Sequence, residues 1–519
     1  MNIKIQDLLL PFALALLTMW AVNYFWDNKQ QTAEDVAGRR IEAPALAQRY
    51  EAPNLEIDFY DNEKKNEELV TVLENEHARY QFTNHGAALQ HVTFIRCESG
   101  QMQHISVLDA PTEESRENRA YLVALNRQTP YYFDLIKQDQ DETAHYLTYR
   151  ADFGDGILEK KFTIYKDTFK ISLNITVTPK ADVEPVRLRI FFSAPRIKDL
   201  GAKDTLAAFV DESGKLLTYA RPLAATGAYW EAPTVQGLND RYFVDAFVND
   251  ANNFVQRGYF KPVSLSNEHM SLQGILESKP VSTQTSWNVS FYFGPKTADA
   301  MNAVDPRLEQ TIDYGFFAAV SRPISKLLLK LLNGIYGYVH NYGWAIVILT
   351  LLMRLLMLPF TLQAQNAGKK NEEFQKRLKH IQMRYKDDPE ALNQARMELI
   401  RKHGIMPGAS GCLPLLAQLP LFWGLHVVLA NSIELYNAPF LWINDLSSAD
   451  PYYILPVLTG IGMMLATPTT SDPKQRIMSI GMGLFFMAIA TNFSAGLALF
   501  MAVSMLAAAL QLALTRGIK

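Results

Sequence analysis

Apolar runs long enough to cross a bilayer constrain the fold of this chain more than any other feature. Five of them follow residue 323, and a sixth lies near the N-terminus. Because lipid offers no hydrogen-bond partners to the backbone, runs of this length predict transmembrane α-helices. The six predicted spans are residues 8–26, 342–360, 413–432, 452–467, 476–491 and 495–514.

Period-two alternation of apolar and polar residues marks the region between the first run and the others. It is clearest at residues 169–177, where Phe, Ile, Leu, Ile and Val alternate with Lys, Ser, Asn and Thr. The same pattern recurs at residues 158–164, 186–192 and 287–293. Such alternation is typical of half-buried strands, so we predict an all-β sandwich domain over residues 57–310. The first apolar run predicts an uncleaved N-terminal transmembrane anchor over residues 1–27. Residues 28–56 are polar and aperiodic, which predicts a linker.

Motifs that carry enzyme chemistry are missing from the sequence. It contains no G-x-S-x-G, H-E-x-x-H or C-x-x-C motif and no phosphate-binding glycine loop. The acidic stretch DFGDG, residues 152–156, favours a turn between strands over a cation or sugar site. A net charge of -3 over 519 residues is not the basic excess of a nucleic-acid-binding protein. We therefore predict no enzyme activity, catalytic residue, metal or cofactor, and no direct nucleic-acid binding.

The distribution of lysine and arginine predicts how the spans are oriented. Residues 363–411 contain ten of these cations, whereas the loop at 433–451 contains none. By the positive-inside rule, both termini are cytoplasmic and residues 27–341, with the β domain, lie on the other side of the membrane. Within 363–411, apolar residues keep helical spacing on both sides of KDDP, residues 386–389, which predicts a cytoplasmic helical hairpin.

Residues 316–340 predict an amphipathic helix that lies in the membrane interface. Ile324, Leu327, Leu328, Leu331 and Ile335 share one helical face in this prediction, and two lysines lie across from them.

A single arginine, Arg354, interrupts the apolar run AIVILTLLMRLLMLPF. At 1.5 Å per residue it lies about 15 Å from Trp344 and about 9 Å from Phe360, inside the hydrocarbon. Insertion is still favourable, because ten large apolar residues at about -0.3 to -0.6 kcal/mol each outweigh about +2.5 to +3.5 kcal/mol for one arginine. Snorkelling toward the cytoplasmic headgroups is one interpretation.

None of the predicted spans has an acidic residue in its apolar interior, and the other interpretation starts from this observation. The guanidinium must then meet water, a lipid phosphate or an anionic group brought by another molecule. Thr350 stands one turn earlier on the same face, and Gln418 lies inside the third span. With Arg354 they predict a polar, partly wet groove, although hydrogen bonding between helices is the alternative for both.

Three stretches closely resemble the YidC/Oxa/Alb family of membrane protein insertases. They are YGWAIVILTLLMRLLMLPFTLQAQ, the run from GCLPLLAQLPLFWGLHVV to SSADPYYILPVL, and DPKQRIMSIGMG. The β domain matches more loosely, through FTNHGAALQHVTF and FYFGPK, in the manner of Gram-negative members.

This resemblance implies a membrane α-helical bundle of six spans, five of which form an insertase core over residues 341–515, plus a periplasmic β-supersandwich. It implies that Arg354, Thr350 and Gln418 line a hydrophilic groove that receives the substrate. Substrate helices would slide along the third and fifth spans, where Leu419, Phe422 and Phe486 stand. The implied location is the inner membrane. The implied partners are nascent membrane proteins, the Sec translocon, the ribosome, the signal recognition particle receptor and lipids.

Two other functions remain open from the residues alone. A secondary transporter or channel would use the intramembrane arginine to bind an anionic solute, and it should show an inverted repeat. A membrane-anchored, carbohydrate-active enzyme would need a carboxylate pair in the β domain. Insertion of a membrane protein, solute uptake and glycan turnover by the reconstituted chain separate the three functions.

Overall fold

The described part of the chain forms two compact units that divide between Ile312 and Asp313. The structure is a computed structural model and describes residues 57, 59–60, 67–98, 101–126, 129–180, 184–197, 207–212, 214–219, 229–250, 253–266, 269–314, 318–385, 388–403, 422–466 and 473–517. The predicted anchor, the predicted linker, Gln418 and Leu419 lie outside these residues.

The first unit, which we call the β unit, is built from strands in four sheets. In chain order the described strands are β1 Phe59–Tyr60, β2 Val70–Glu74, β3 Ala78–Thr83, β4 Ala88–Glu98, β5 Gln101–Asp109, β6 Leu122–Leu125, β7 Thr129–Pro130, β8 Asp134–Gln140, β9 Ala144–Asp152, β10 Gly156–Tyr165, β11 Lys170–Pro179, β12 Leu188–Ser193, β13 Ala207–Glu212, β14 Lys215–Tyr219, β15 Tyr229–Glu231, β16 Gln236–Asn239, β17 Phe243–Asp250, β18 Val255–Ser266, β19 His269–Ser278 and β20 Thr285–Pro295.

Three of the sheets are antiparallel. The largest has the order β14-β13-β16-β17-β20-β11-β10-β9-β8, the next β15-β18-β19-β12-β6, and the third β2-β3-β4-β5. Strand β1 pairs in parallel with β7. The prediction of an all-β domain is confirmed.

The alternating runs at 158–164 and 169–177 pair as a β-hairpin, and the turn predicted at DFGDG is found between two strands. Strands β10 and β11 pair in antiparallel register, with Phe162 opposite Leu173, and the residues between Tyr165 and Lys170 make the turn. The stretch DFGDG is a turn from β9 into β10, and Gly154 adopts the left-handed φ of 80° there. Glycine takes this backbone conformation without the steric cost that a Cβ brings.

Aromatic side chains join the sheets into a sandwich. Phe192 of β12 packs on Phe291 of β20, with the ring centroids 6.0 Å apart. Phe82 of β3 packs on Phe162 of β10 at 4.8 Å. The five-stranded and four-stranded sheets therefore both pack on one face of the nine-stranded sheet through aromatic contacts.

The second unit, which we call the helical unit, contains the membrane-capable helices. Before it, the β unit ends with the short helix α1 Ala298–Asn302. The described helices of the helical unit are α2 Ala318–Val339, α3 Tyr342–Arg384, α4 Pro389–His403, α5 Phe422–Asn431, α6 Ile454–Ala466, α7 Pro473–Ala490 and α8 Ala495–Gly517.

Two stretches of these helices, Tyr342–Pro359 and Ala495–Thr515, are long and apolar enough to cross a membrane. Three shorter apolar helices are Phe422–Asn431, Ile454–Ala466 and Ser479–Ala490. The described residues thus give a helical region with membrane-capable helices, and the number of spans stays a prediction. Helix α3 continues past residue 363 to Arg384, and α4 begins at Pro389, directly after the KDD sequence.

The apolar residues of helix α2 divide into a buried and an exposed set. Leu328 and Leu332 are buried against the helical unit, whereas Leu327 and Leu331 are exposed. The hydroxyl of Ser325, on the buried side, donates to the carbonyl of Gly424 in α5 at 2.9 Å. One part of the apolar face thus packs on protein and the other part faces outward, and the position of this helix in the membrane interface stays a prediction.

Candidate functional site

Arg354 lies on α3 at the place where close packing of the helical unit ends. The buried residues of α3 include Ile346, Leu349 and Thr350, all toward its N-terminal end. Beyond them, Leu351 and Leu355 are exposed, whereas Arg354 is half-buried. The arginine is thus about a turn below the packed core, on a side of α3 that faces other helices.

The guanidinium of Arg354 is hydrogen-bonded to Ser504 on α8. Its Nε donates to Ser504 Oγ at 3.0 Å and its Nη2 donates to the same oxygen at 2.7 Å. Ser504 is only 3% exposed, so this bond is made inside the contact between the two helices. A hydroxyl oxygen accepts both N–H groups but carries no net charge to neutralise the guanidinium.

No Asp or Glu of the described chain lies within ion-pair distance of Arg354. Asp445 and Asp450, two acidic residues of the loop between α5 and α6, make their hydrogen bonds within that loop and at the start of α6. A cation at this depth therefore keeps its charge uncompensated by the part of the protein that the structure describes.

A second polar contact joins the same two helices. Gln511 of α8 donates from Nε2 to Thr361 Oγ1 of α3 at 2.9 Å. Thr361 follows Arg354 by seven residues, and Gln511 follows Ser504 by the same number, so α3 and α8 run parallel in a heptad register. Sequence reasoning missed Ser504, Thr361 and Gln511. The available signal was that each is a polar residue in or beside an apolar run.

Thr350 makes its hydrogen bond within α3. Its hydroxyl donates to the carbonyl of Ile346 at 2.6 Å, and its side chain is 1% exposed. A threonine on a helix often bonds to the carbonyl four residues earlier in this way. Thr350 is therefore close to Arg354 along the helix but bonds to its own backbone, and its place in a groove stays a prediction.

Phe422 and Phe486 pack at the margin of the buried core of the helical unit. Phe422, on α5, has its ring 6.3 Å from that of Phe500 on α8. Phe486, on α7, packs edge-on against Phe485 at 5.8 Å. Both are half-buried, and their role as a substrate slide stays a prediction, as do the roles of Gln418 and Leu419, outside the described residues.

The loop at residues 432–453, which we call the cap, closes the N-terminal ends of α3 and α8. Leu435, Phe440, Ile443 and Leu446 of the cap are buried in the same apolar core as α3 and α8. A Cβ at Gly343 would lie 2.0 Å from the ring of Phe440, so this ring sits directly on the backbone of α3.

Two carboxylates hold the cap in shape. Asp445 accepts from the backbone N–H groups of Asn437 and Ser447, each at 2.9 Å. Asp450 accepts from Trp442 Nε1 at 3.1 Å and from the backbone N–H of Leu455, at the start of α6, at 2.7 Å. The helical unit thus has a sealed apolar end at the cap and a polar contact at Arg354 below it.

Buried ionisable groups in the β unit are used to hold the fold. Lys160 is completely buried, and its Nζ donates to the carbonyls of Gly86, Ala87 and Tyr121 at 2.5 to 3.0 Å. Burial lowers the pKa of Lys160 well below its ordinary value. Asp245 is also fully buried and accepts from the hydroxyl of Tyr121 at 3.1 Å. Burial raises the pKa of Asp245 well above its ordinary value.

No group of three or more His, Cys, Asp or Glu side chains that could hold a metal ion occurs among the described residues. The polar contact at Arg354 is the candidate site considered below.

Family models match most of the chain. The model described as "60Kd inner membrane protein" matches residues 334–519, and the model described as "YidC periplasmic domain" matches residues 72–327. The boundary between them lies close to the division between the two units.

Curated relatives carry the name membrane protein insertase YidC. The one from Wolinella succinogenes is 32% identical over 387 residues, which is 72% of this chain and 67% of the relative. The one from Geobacter metallireducens is 34% identical over 325 residues, 60% of this chain and 58% of the relative. Against the latter and several others, the match thus spans only about half to three fifths of the relative's length.

A solved structure, titled an active YidC insertase with the first transmembrane domain resolved, is also similar to this chain. It is 18% identical, with a TM-score of 0.35, and the match covers 88% of this chain and 94% of that one.

Proposed function

This chain belongs to the YidC family of membrane protein insertases, and we propose that it inserts nascent membrane proteins into the inner membrane. One observation carries the proposal for the site. The guanidinium of Arg354 lies in a membrane-length helix and is bonded to a neutral hydroxyl, and no carboxylate of the described residues is within reach. An arginine whose charge is not compensated suits the transient binding of an anionic segment.

In the proposed mechanism, Arg354 holds the short polar tail of a substrate while the apolar helix behind it enters the lipid. A carboxylate that meets the guanidinium in a partly desolvated site gains a charge-assisted hydrogen bond in place of some contacts with water. The helix then leaves water for lipid, which contributes about 25 cal/mol per Å² of apolar surface. Burial of the substrate helix therefore supplies the free energy of the step.

The cap supports a particular direction of transfer. Because the N-terminal ends of α3 and α8 are sealed by buried apolar residues, we propose that a substrate reaches Arg354 from the other end or from the lipid side. With both termini cytoplasmic and residues 27–341 periplasmic, that entry faces the cytoplasm. Thr350 and Gln418 would line the route, and Leu419, Phe422 and Phe486 would contact the moving helix.

The proposal extends to partners that deliver substrates. Nascent membrane proteins are the substrates, and the Sec translocon, the ribosome and the signal recognition particle receptor are the proposed sources. The charged stretch from 363 to 403, helical in α3 and α4 and rich in lysine and arginine, is the surface that we propose for recruitment.

Reconstitution of the chain into liposomes tests this function. A substrate with a short acidic tail should insert with the wild type, somewhat less with Arg354→Lys, and at background level with Arg354→Ala. Gln511→Ala is the matched control, because it breaks an uncharged contact between the same two helices. Equal loss in the lysine and alanine variants would assign Arg354 a packing role. Uptake of an anionic solute without insertion would favour the transporter instead.

A further inference from the structure

The geometry of the bond between Arg354 and Ser504 uses only one edge of the guanidinium. Nε and Nη2 both donate to the single oxygen of Ser504. A guanidinium carries five N–H donors in a rigid planar fork, and Nε with the adjacent N–H of Nη2 makes its side edge. Three donors remain: one N–H of Nη1 and one of Nη2 form the end of the fork, and the second N–H of Nη1 lies on the opposite side. Within the described residues, none of these three has a hydrogen-bond acceptor.

The position of Ser504 is fixed by the helices around it. It is 3% exposed on α8, one heptad above Gln511, whose bond to Thr361 sets the register of α3 against α8. Its oxygen is held against the side edge of Arg354, and the plane of the guanidinium is thereby oriented. A carboxylate at this position would hold the same edge, but it would also neutralise the charge.

From this arrangement we propose that Ser504 is a positioning residue for substrate binding. Its hydroxyl holds the side edge of Arg354, so that the end of the fork is presented to a carboxylate of the incoming segment in a bidentate contact. The substrate class is a segment that carries Asp or Glu, and the neutral hydroxyl keeps the charge of Arg354 available for it. This inference rests on the proposed insertase function, since it concerns the same arginine.

A structural role for Ser504 predicts a different pattern of effects. If the hydroxyl only fastened α3 to α8, its removal would affect every substrate alike, as would removal of the bond between Thr361 and Gln511. If it positions Arg354, its removal affects substrates in proportion to their acidic residues. The dependence on substrate charge therefore separates the two roles.

The experiment uses the full-length chain in liposomes of neutral lipid and two substrates that differ only in the translocated tail. One tail carries two aspartates and the other carries two asparagines. We expect Ser504→Ala to lower the insertion rate of the aspartate substrate by about tenfold, the range of one charge-assisted hydrogen bond, and that of the asparagine substrate by less than about twofold. Ser504→Thr, which keeps the hydroxyl, should restore the preference for the aspartate substrate.

Two further variants complete the test. Ser504→Asp places a carboxylate on the guanidinium and should abolish the preference, because the substrate then meets a neutralised pair. Gln511→Ala should leave the ratio between the two substrates unchanged. Equal slowing of both substrates in Ser504→Ala, or no slowing of either, would overturn the positioning role. Failure of the wild type to insert either substrate would instead overturn the proposed function itself, and the inference with it.

Discussion

Asp450 fastens the cap to helix α6, and its loss should open the sealed end of the helical unit. The carboxylate accepts three hydrogen bonds, from Trp442 Nε1 and the backbone N–H of Tyr452, both at 3.1 Å, and from the backbone N–H of Leu455 at 2.7 Å. Asp450 is 4% exposed and Leu455 is 2% exposed, so water replaces few of these bonds in Asp450→Ala. At about 1 to 2 kcal/mol for each lost bond, local opening of the cap becomes easier by about 3 to 6 kcal/mol.

Hydrogen exchange of the full-length chain in detergent measures this opening. A change of about 3 to 6 kcal/mol corresponds to exchange that is roughly 150 to 20,000 times faster for the amides of residues 441–455. Asp388→Ala is the matched control, because Asp388 accepts from the backbone N–H groups of Glu390 and Ala391 at the exposed start of α4. An exposed N-terminal capping residue of a helix contributes only about 1 kcal/mol to the stability of that helix. If Asp450→Ala accelerates exchange no more than this control, the cap is not held by Asp450.

Three further predictions concern the two units. Lys160→Met leaves three buried carbonyls without a donor. We therefore expect the free energy of unfolding of the β unit, measured by chemical denaturation, to fall by about 3 kcal/mol. An unchanged free energy of unfolding would show that water takes the place of the ammonium. Because burial raises the pKa of Asp245, its contribution to the stability of the β unit is present at low pH and is lost as the pH rises through that raised pKa. Asp245→Asn should remove this pH dependence of the free energy of unfolding. Parallel pH profiles of the variant and the wild type would contradict the prediction. A Cβ at Gly460 would lie 2.9 Å from the carbonyl oxygen of Gly483, so Gly460→Leu should separate α6 from α7 and lower the melting temperature in detergent, whereas Gly481→Leu, which meets open space, should not.

The fold of the β unit could be predicted from sequence because alternation reports the two faces of each strand directly. The alternating runs at 158–164 and 169–177 lie in β10 and β11, which pair as an antiparallel hairpin. The order of the strands could not be predicted in this way. Strand β20, for example, inserts between β17 and β11, and such non-local pairings depend on the packing of the whole sandwich.

The apolar pattern of α2 shows a different limit. Leu327 and Leu328 are adjacent and equally hydrophobic, yet one is exposed and the other is buried on the helical unit. Hydropathy reports that a side chain avoids water, and both a protein core and a lipid surface satisfy it. The sequence alone therefore could not show which of these two leucines packs on protein.

One residue of the candidate site could be predicted from the sequence and the other could not. Arg354 could be found from sequence, since a charge within an apolar run has an evident energetic cost. Its contact, Ser504, could not, because a serine among alanines and leucines resembles an ordinary small residue of a membrane helix. The pairing joins positions 150 residues apart, and it depends on the rotation and register of α3 against α8.

Reversing the charge at position 354 and on the substrate tail is the most direct test of the proposed function. The measurement is insertion by Arg354→Glu into liposomes without a membrane potential, with tails that carry either two aspartates or two lysines. If Arg354 acts through its charge, the variant should reject the aspartate tail and accept the lysine tail, the reverse of the wild type, with Ser504 donating to the new carboxylate. A variant that inserts neither tail, or both equally well, would contradict the claim that substrates are recognised by the charge at this position.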